Sequence, residues 1–166
     1  MFLSRRATQA EYFDAPDRAD SEIAELYSAL AKANRLFASA DPFQRLLPKF
    51  LGREHCAALS FLDLGGGDGS LAAALTRWAR ERHGWNWRFT NLDLNPAALR
   101  RSACERNVAG SAVALPFRDG SFDVVIASQM THHLTTDDEL RRHLSEAWRV
   151  ARRAVYLSDL HRGPLT

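Results

Sequence analysis

The chain has 166 residues, of which 46% are hydrophobic and 25% charged, and its formal net charge is +2. That is enough chain to bury one core without disulfides or metals, and the composition is ordinary for a soluble globular protein. The near-balanced charge gives no reason to expect nucleic acid or a membrane as partner. Cys56 and Cys104 make no Cys-x-x-Cys and no metal-ligand spacing, which suits a reducing compartment. Met1–Arg6 lacks the apolar stretch of a signal peptide, and no apolar run reaches membrane-spanning length. The expectation is a cytoplasmic protein.

Residues 1 to about 18 are polar and unpatterned. From Ser21, the positions Ile23, Leu26, Tyr27, Leu30, Ala33 and Phe37 recur at helical spacing. Asp41-Pro42 with Gln44 predicts an N-cap, a first-turn proline and a capping box. Residues 1–50 thus read as a helical segment that could fold over a site, and residues 51–166 as the core domain.

Leu59–Leu64 has the length of a buried strand, and Gly65-Gly66-Gly67-Asp68-Gly69 follows it. Leu71, Ala74, Leu75 and Trp78 mark one side of a helix. Trp87–Leu94 reads as a second strand, and Asn95-Pro96 as another capped helix start. Only a very short third strand fits around Val108–Val113. Ser121–Ser128 is nearly continuous apolar sequence, as expected of a strand covered on both faces. Thr136 with Glu139 makes a capping box for a helix whose apolar side is Leu140, Leu144, Ala147 and Ala151. Ala154–Ser158 is the last strand. Strands alternate with helices, which predicts an α/β fold: a Rossmann-like open, mainly parallel sheet of about five strands flanked by helices.

A strand, a glycine turn and a helix in that order place backbone N–H groups at a helix N-terminus, facing the end of the sheet. Gly67-Asp68-Gly69-Ser70-Leu71-Ala72 also satisfies the dinucleotide pattern G-x-G-x-x-A. Asp93 ends the second strand, where a carboxylate can accept two hydrogen bonds from a ribose diol; it could equally cap the helix that follows. Asp63 ends the first strand. A pyrophosphate would be repelled there, whereas a cationic ligand without phosphate would be favoured, and Asp68 pushes the same way.

Three segments in order carry a family resemblance. Phe61–Gly69 resembles the first motif of class I S-adenosylmethionine-dependent methyltransferases, and Leu92-Asp93-Leu94-Asn95 resembles their acidic second motif. Ala114–Val125 (Ala-Leu-Pro-Phe-Arg-Asp-Gly-Ser-Phe-Asp-Val-Val) is similar to the segment leading into their fourth strand. The flavour is that of the small-molecule branch including the ubiquinone/menaquinone biosynthesis methyltransferases. The resemblance implies S-adenosylmethionine as cofactor, with Asp63, Gly65, Gly66, Gly67 and Gly69 holding its methionine moiety. Asp93 would bind the ribose hydroxyls, and Leu94 would pack near the adenine. Ser111 and Ala112 would line the adenine pocket, and Ser128 would sit at the mouth of the fourth strand.

The chain departs from the family at two places. Gly110-Ser111-Ala112 stands where relatives often have Gly-Asp-Ala, so a neutral hydroxyl replaces a charged acceptor. Two further strands usually follow the last one, so the chain reads as C-terminally truncated. Val155, Tyr156 and Leu157 would then lie on an unpaired edge, along which two copies could pair into a homodimer.

Catalytic candidates are weaker. One histidine of Gln129-Met130-Thr131-His132-His133-Leu134 could serve as general base, His133 being the one favoured, and Asp159 and His161 could face the acceptor. Arg35 could reach the cofactor carboxylate if the N-terminal helices close as a lid. Arg141, Arg142, Arg149, Arg152 and Arg153 read as the wet face of a helix. No metal set is expected. The expected activity is methyl transfer to a small-molecule acceptor rather than to nucleic acid. A non-catalytic cofactor-binding or interaction domain remains open as an alternative, as does an NAD-dependent oxidoreductase.

Overall fold

The computed structural model describes residue 29 and residues 40–159. The expected helix over 21–37, Arg35 and His161 lie outside the described residues. In chain order the elements are α1 (Asp41–Leu51), β1 (Ala58–Leu64), α2 (Ser70–His83), β2 (Asn86–Asp93), α3 (Pro96–Leu99), β3 (Arg106–Ala109), β4 (Phe122–Ser128), α4 (Asp137–Val150) and β5 (Ala151–Ser158). Single turns of 3-10 helix occupy Arg53–His55 and Thr131–His133.

The five strands form one sheet in the order β3-β2-β1-β4-β5, and every pairing is parallel. This is an α/β, Rossmann-like fold. β1 and β4 are central, and their near-continuous apolar sequences follow from burial on both faces. Phe61, Phe89, Val124 and Ile126 pack against α1 and α2 on one face, through Phe43, Leu47, Ala72 and Leu75. Leu62, Leu64, Val125 and Ala127 pack against Ala147 and Val150 of α4 on the other. Among the described residues, no helix is long and apolar enough to cross a membrane.

Several local expectations are corrected. The Asp41 capping box does not form: the helix starts at Asp41 with Ala40 as its cap residue, and the Asp41 carboxylate pairs with Arg45 at 3.4 Å instead. The third strand lies at Arg106–Ala109, upstream of its expected place. The buried stripe of α4 is His143, Ala147 and Val150, whereas Leu144 is exposed and Ala151 already belongs to β5. The two later caps form as expected. Asn95 accepts from the Ala97 N–H at 2.9 Å, and Thr136 and Glu139 make a reciprocal capping box.

The chain runs outward from β1 through β2 to β3, then returns to β4. The order in which strands are added therefore reverses between β1 and β4. In open parallel sheets the crevice at the carboxyl ends of the strands, at such a reversal, is where ligands bind.

Candidate functional site

The carboxyl ends of β1 and β2 carry three polar side chains in a tight group. Parallel pairing sets Asp63 of β1 directly beside Asn91 of β2, so both project from the same face. Asp63 is 1% exposed and Asn91 fully buried. Asn91 donates through Nδ2 to the Gly67 carbonyl at 2.9 Å and to the Ser102 hydroxyl at 3.1 Å. Its Oδ1 and the Oδ2 of Asp63 are both buried with no hydrogen-bond partner. Burial pushes the Asp63 carboxyl up to about 7, and the nearby Asp93 charge adds to the rise.

The glycine turn wraps this pair. Gly65 has φ +67°, a left-handed conformation in which L side chains are strained, and a Cβ there would collide with Met130. At Gly66 the demand is space. An added Cβ would collide with Asn91 Oδ1 and come within 2.8 Å of the Asp63 carboxyl carbon. The N–H groups of Gly65 and Gly66 donate to the Leu92 carbonyl at 2.8 and 3.3 Å, stitching the turn to the end of β2. Asp68 acts locally, since its Oδ1 accepts the Ser70 N–H at 3.0 Å, at the start of α2.

Asp93 sits at the rim. Its Oδ2 accepts the Gly67 N–H at 2.8 Å and its Oδ1 accepts the Asn95 N–H at 2.8 Å. Burial raises its pKa, while those N–H groups and His133 pull it back. The helix that follows is capped by Asn95 rather than by Asp93. Each Asp93 oxygen keeps a lone pair beyond its backbone bond. Leu94, next along, is 76% exposed. Ser111 and Ala112 follow β3. Ser111 makes an isolated bridge with Ala114, and its hydroxyl accepts the Val113 N–H at 3.3 Å. Ser128 ends β4 opposite Ser158 of β5.

Beyond β4, Gln129 turns the chain with φ +56°, uncommon for a residue with a side chain, and its N–H is held by the Ser158 carbonyl at 2.8 Å. The 3-10 turn that follows aims His132 at Asp159: the ring Nδ1 lies 2.6 Å from Asp159 Oδ1, and the His132 N–H donates to Asp159 Oδ2 at 2.9 Å. Asp159 is thus joined to His132, whose ring lies 4.3 Å from that of His133.

Every candidate from Asp63 to Asp159 therefore falls at or just beyond the carboxyl end of its strand. Asn91 escaped notice in the sequence. Its signal was parity: Trp87, Phe89, Asn91 and Asp93 alternate along one face of β2, so a polar residue at 91 was facing inward. The arginine run is also corrected. Arg149 binds Glu146, Leu115, Phe117 and Asp119, Arg152 pairs with Asp123, and Arg153 donates to the carbonyls of His55 and Leu51. Arg141, Arg142, Arg152 and Arg153 are exposed and Arg149 is half-buried, but Arg152 and Arg153 stand on β5 rather than on the helix.

Known proteins point the same way. A methyltransferase from Mycobacterium sp. (strain KMS), itself uncharacterised, is 34% identical over 103 residues, or 62% of this chain and 40% of that protein. The demethylmenaquinone methyltransferase of Roseiflexus castenholzii is 36% identical over 93 residues, 55% of this chain and 37% of that protein. The chain thus spans about two fifths of the length of these curated relatives. A crystal structure of a candidate S-adenosyl-L-methionine-dependent methyltransferase from Methanococcus maripaludis superposes with a TM-score of 0.61 at 16% identity, covering 92% of this chain and 67% of that one, and shares the fold. The profile of the methyltransferase domain matches residues 62–158, more than half of the sequence, and the chain belongs to that methyltransferase-domain family.

Proposed function

We propose that this chain binds S-adenosylmethionine across the carboxyl ends of β1, β2 and β4 and takes part in methyl transfer to a small-molecule acceptor. The observation that carries the reading is the buried Asp63 carboxyl, unpartnered at Oδ2 beneath a glycine turn. An unsatisfied buried acceptor costs stability, and it lies where a dinucleotide's pyrophosphate would need donors. A cationic ammonium or sulfonium suits it, which supports S-adenosylmethionine over a nicotinamide dinucleotide.

In this reading Asp63 and the turn Gly65–Gly69 hold the methionine moiety. Asp93 accepts from the ribose hydroxyls with its remaining lone pairs. Leu94 covers one face of the adenine, which accounts for so exposed a leucine beside a carboxylate. Ser111 and Ala112 form the adenine edge, and Ser128 flanks the reacting end. When bound, the cofactor supplies a methyl group already activated by its sulfonium. The protein's part is alignment of the acceptor with that methyl. For an acceptor hydroxyl, His132 takes the proton, with Asp159 fixing the orientation of the ring. The reading places the protein in the cytoplasm, with no nucleic acid partner, and allows a second copy to pair along β5.

Transfer of isotopically labelled methyl from S-adenosylmethionine to a panel of phenols, quinols, amines and hydroxy acids tests the proposal. Turnover on one class, lost in Asp93→Ala, is the expected result. Cofactor binding with no turnover on any acceptor would move the non-catalytic reading ahead.

A further inference from the structure

The connection from β3 to β4 carries Ser111 and Ala112, yet between Gly110 and Gly120 it belongs to no strand or helix. Its backbone polar groups need partners from elsewhere. One face of α4 supplies them, through His143, Glu146 and Arg149, each three residues from the next. His143 lies 3.3 Å from the Ala112 carbonyl through Nδ1. A carbonyl only accepts, so the proton is on Nδ1. Glu146 accepts the Leu115 N–H at 2.7 Å. Arg149 is held by both Glu146 oxygens, at 2.7 and 2.8 Å. It donates in turn to the carbonyls of Phe117 at 2.8 Å and Leu115 at 3.2 Å. The Gly120 N–H closes the series on the Arg149 carbonyl at 2.9 Å.

We infer that His143, Glu146 and Arg149 are positioning residues that set the adenine-side wall of the cofactor site, so that α4 determines how well the protein distinguishes adenine from other purines. The inference rests on Ser111 and Ala112 being the adenine edge of the proposed site. His143 is the telling member. It is fully buried in the core face of α4, and its Nε2 is buried without a hydrogen-bond partner. A leucine there would pack at lower cost to stability. What the imidazole provides is one directed bond to Ala112, the residue next to Ser111. Burial lowers the His143 pKa and keeps the ring neutral, with the Ala112 carbonyl opposing weakly. Glu146 and Arg149 then fix the rest of the segment, and the Arg149 guanidinium holds the Glu146 carboxyl below its ordinary range.

The test compares S-adenosylhomocysteine with its 6-oxo analogue S-inosylhomocysteine by calorimetry, in wild type, His143→Leu and His143→Gln. Wild type is expected to prefer the adenine ligand. In His143→Leu, affinity for S-adenosylhomocysteine should fall about five- to tenfold, the worth of one neutral hydrogen bond. Affinity for the inosine analogue should hold, so that the preference collapses. His143→Gln, which keeps a donor, should recover most of it. Equal losses for both ligands, or an unchanged preference in folded His143→Leu, would overturn the inference. Should His143→Leu fail to fold, Glu146→Gln on the half-buried pair takes the same two ligands, with the same expectation and the same refutation. Wild type that binds neither ligand would sink the cofactor reading itself, and the inference with it; binding without preference would sink the inference alone.

Discussion

Asp63→Asn separates what the buried carboxyl does for stability from what it does for binding. The folded Asp63 carboxyl is pushed up to about 7 from an ordinary 3.8. Between those two values the folded state holds a proton that the unfolded state has released. Stability from this group is therefore fully present below pH 4 and is lost as pH rises to about 7. Three units at 1.36 kcal/mol each make the loss roughly 4 kcal/mol, an upper figure for a carboxylate left without a counter-ion. Asparagine is neutral throughout, and its amide can donate to the Asn91 Oδ1 that has no partner. Urea unfolding from pH 5 to pH 8 should show wild type losing stability relative to Asp63→Asn, with the variant ahead by roughly 2–4 kcal/mol at pH 8. The same variant should bind S-adenosylhomocysteine about 10- to 100-fold more weakly, the worth of a charge-assisted hydrogen bond. A constant difference across that pH range, or a variant less stable at pH 8, would refute the reasoning. A residue that destabilises the protein yet tightens the ligand is what a binding site, rather than a core, requires.

Gly66→Ala should abolish measurable cofactor binding and lower the melting temperature by several degrees, because its Cβ meets Asp63 and Asn91 where neither can move into solvent; calorimetry and thermal melts read both. Ser111→Asp should tighten S-adenosylhomocysteine by about 1 kcal/mol, as a charged acceptor replaces a neutral one, and isothermal titration would show whether it does. His132→Ala and Asp159→Asn should each lower turnover on a hydroxyl acceptor about 100-fold without changing cofactor affinity, and their double variant should cost no more than the worse single one, as expected of groups acting as a unit.

The parts of the fold legible in the sequence were those that bury apolar side chains continuously. β1 and β4 announce themselves because both their faces are covered. β3 does not: Arg106 and Asn107 are exposed at the sheet edge, so no hydrophobic pattern marks it, and the apolar window around Val108–Val113 runs past the turn at Gly110. Leu144 and His143 show the same weakness in a helix. Positions 140, 143, 147 and 150 fit helical spacing as well as 140, 144, 147 and 151, and a histidine in the stripe hid the true register. At the site, topology made Asp63, the glycine turn and Asp93 legible, because the ends of successive parallel strands must share one rim. Asn91 and the His143–Glu146–Arg149 face were not, because a polar side chain that serves buried backbone looks, in one dimension, like one that faces water. The pairing of His132 with Asp159 follows a left-handed turn at Gln129, which no local pattern predicts.

The central claim is that this chain carries an intact S-adenosylmethionine site, and titration with S-adenosylhomocysteine by calorimetry, with NAD as control, tests it most directly. Saturable one-to-one binding of S-adenosylhomocysteine, absent for NAD and lost in Asp93→Ala, is the predicted result. A folded protein that ignores S-adenosylhomocysteine, or one whose binding survives Asp93→Ala unchanged, would contradict it.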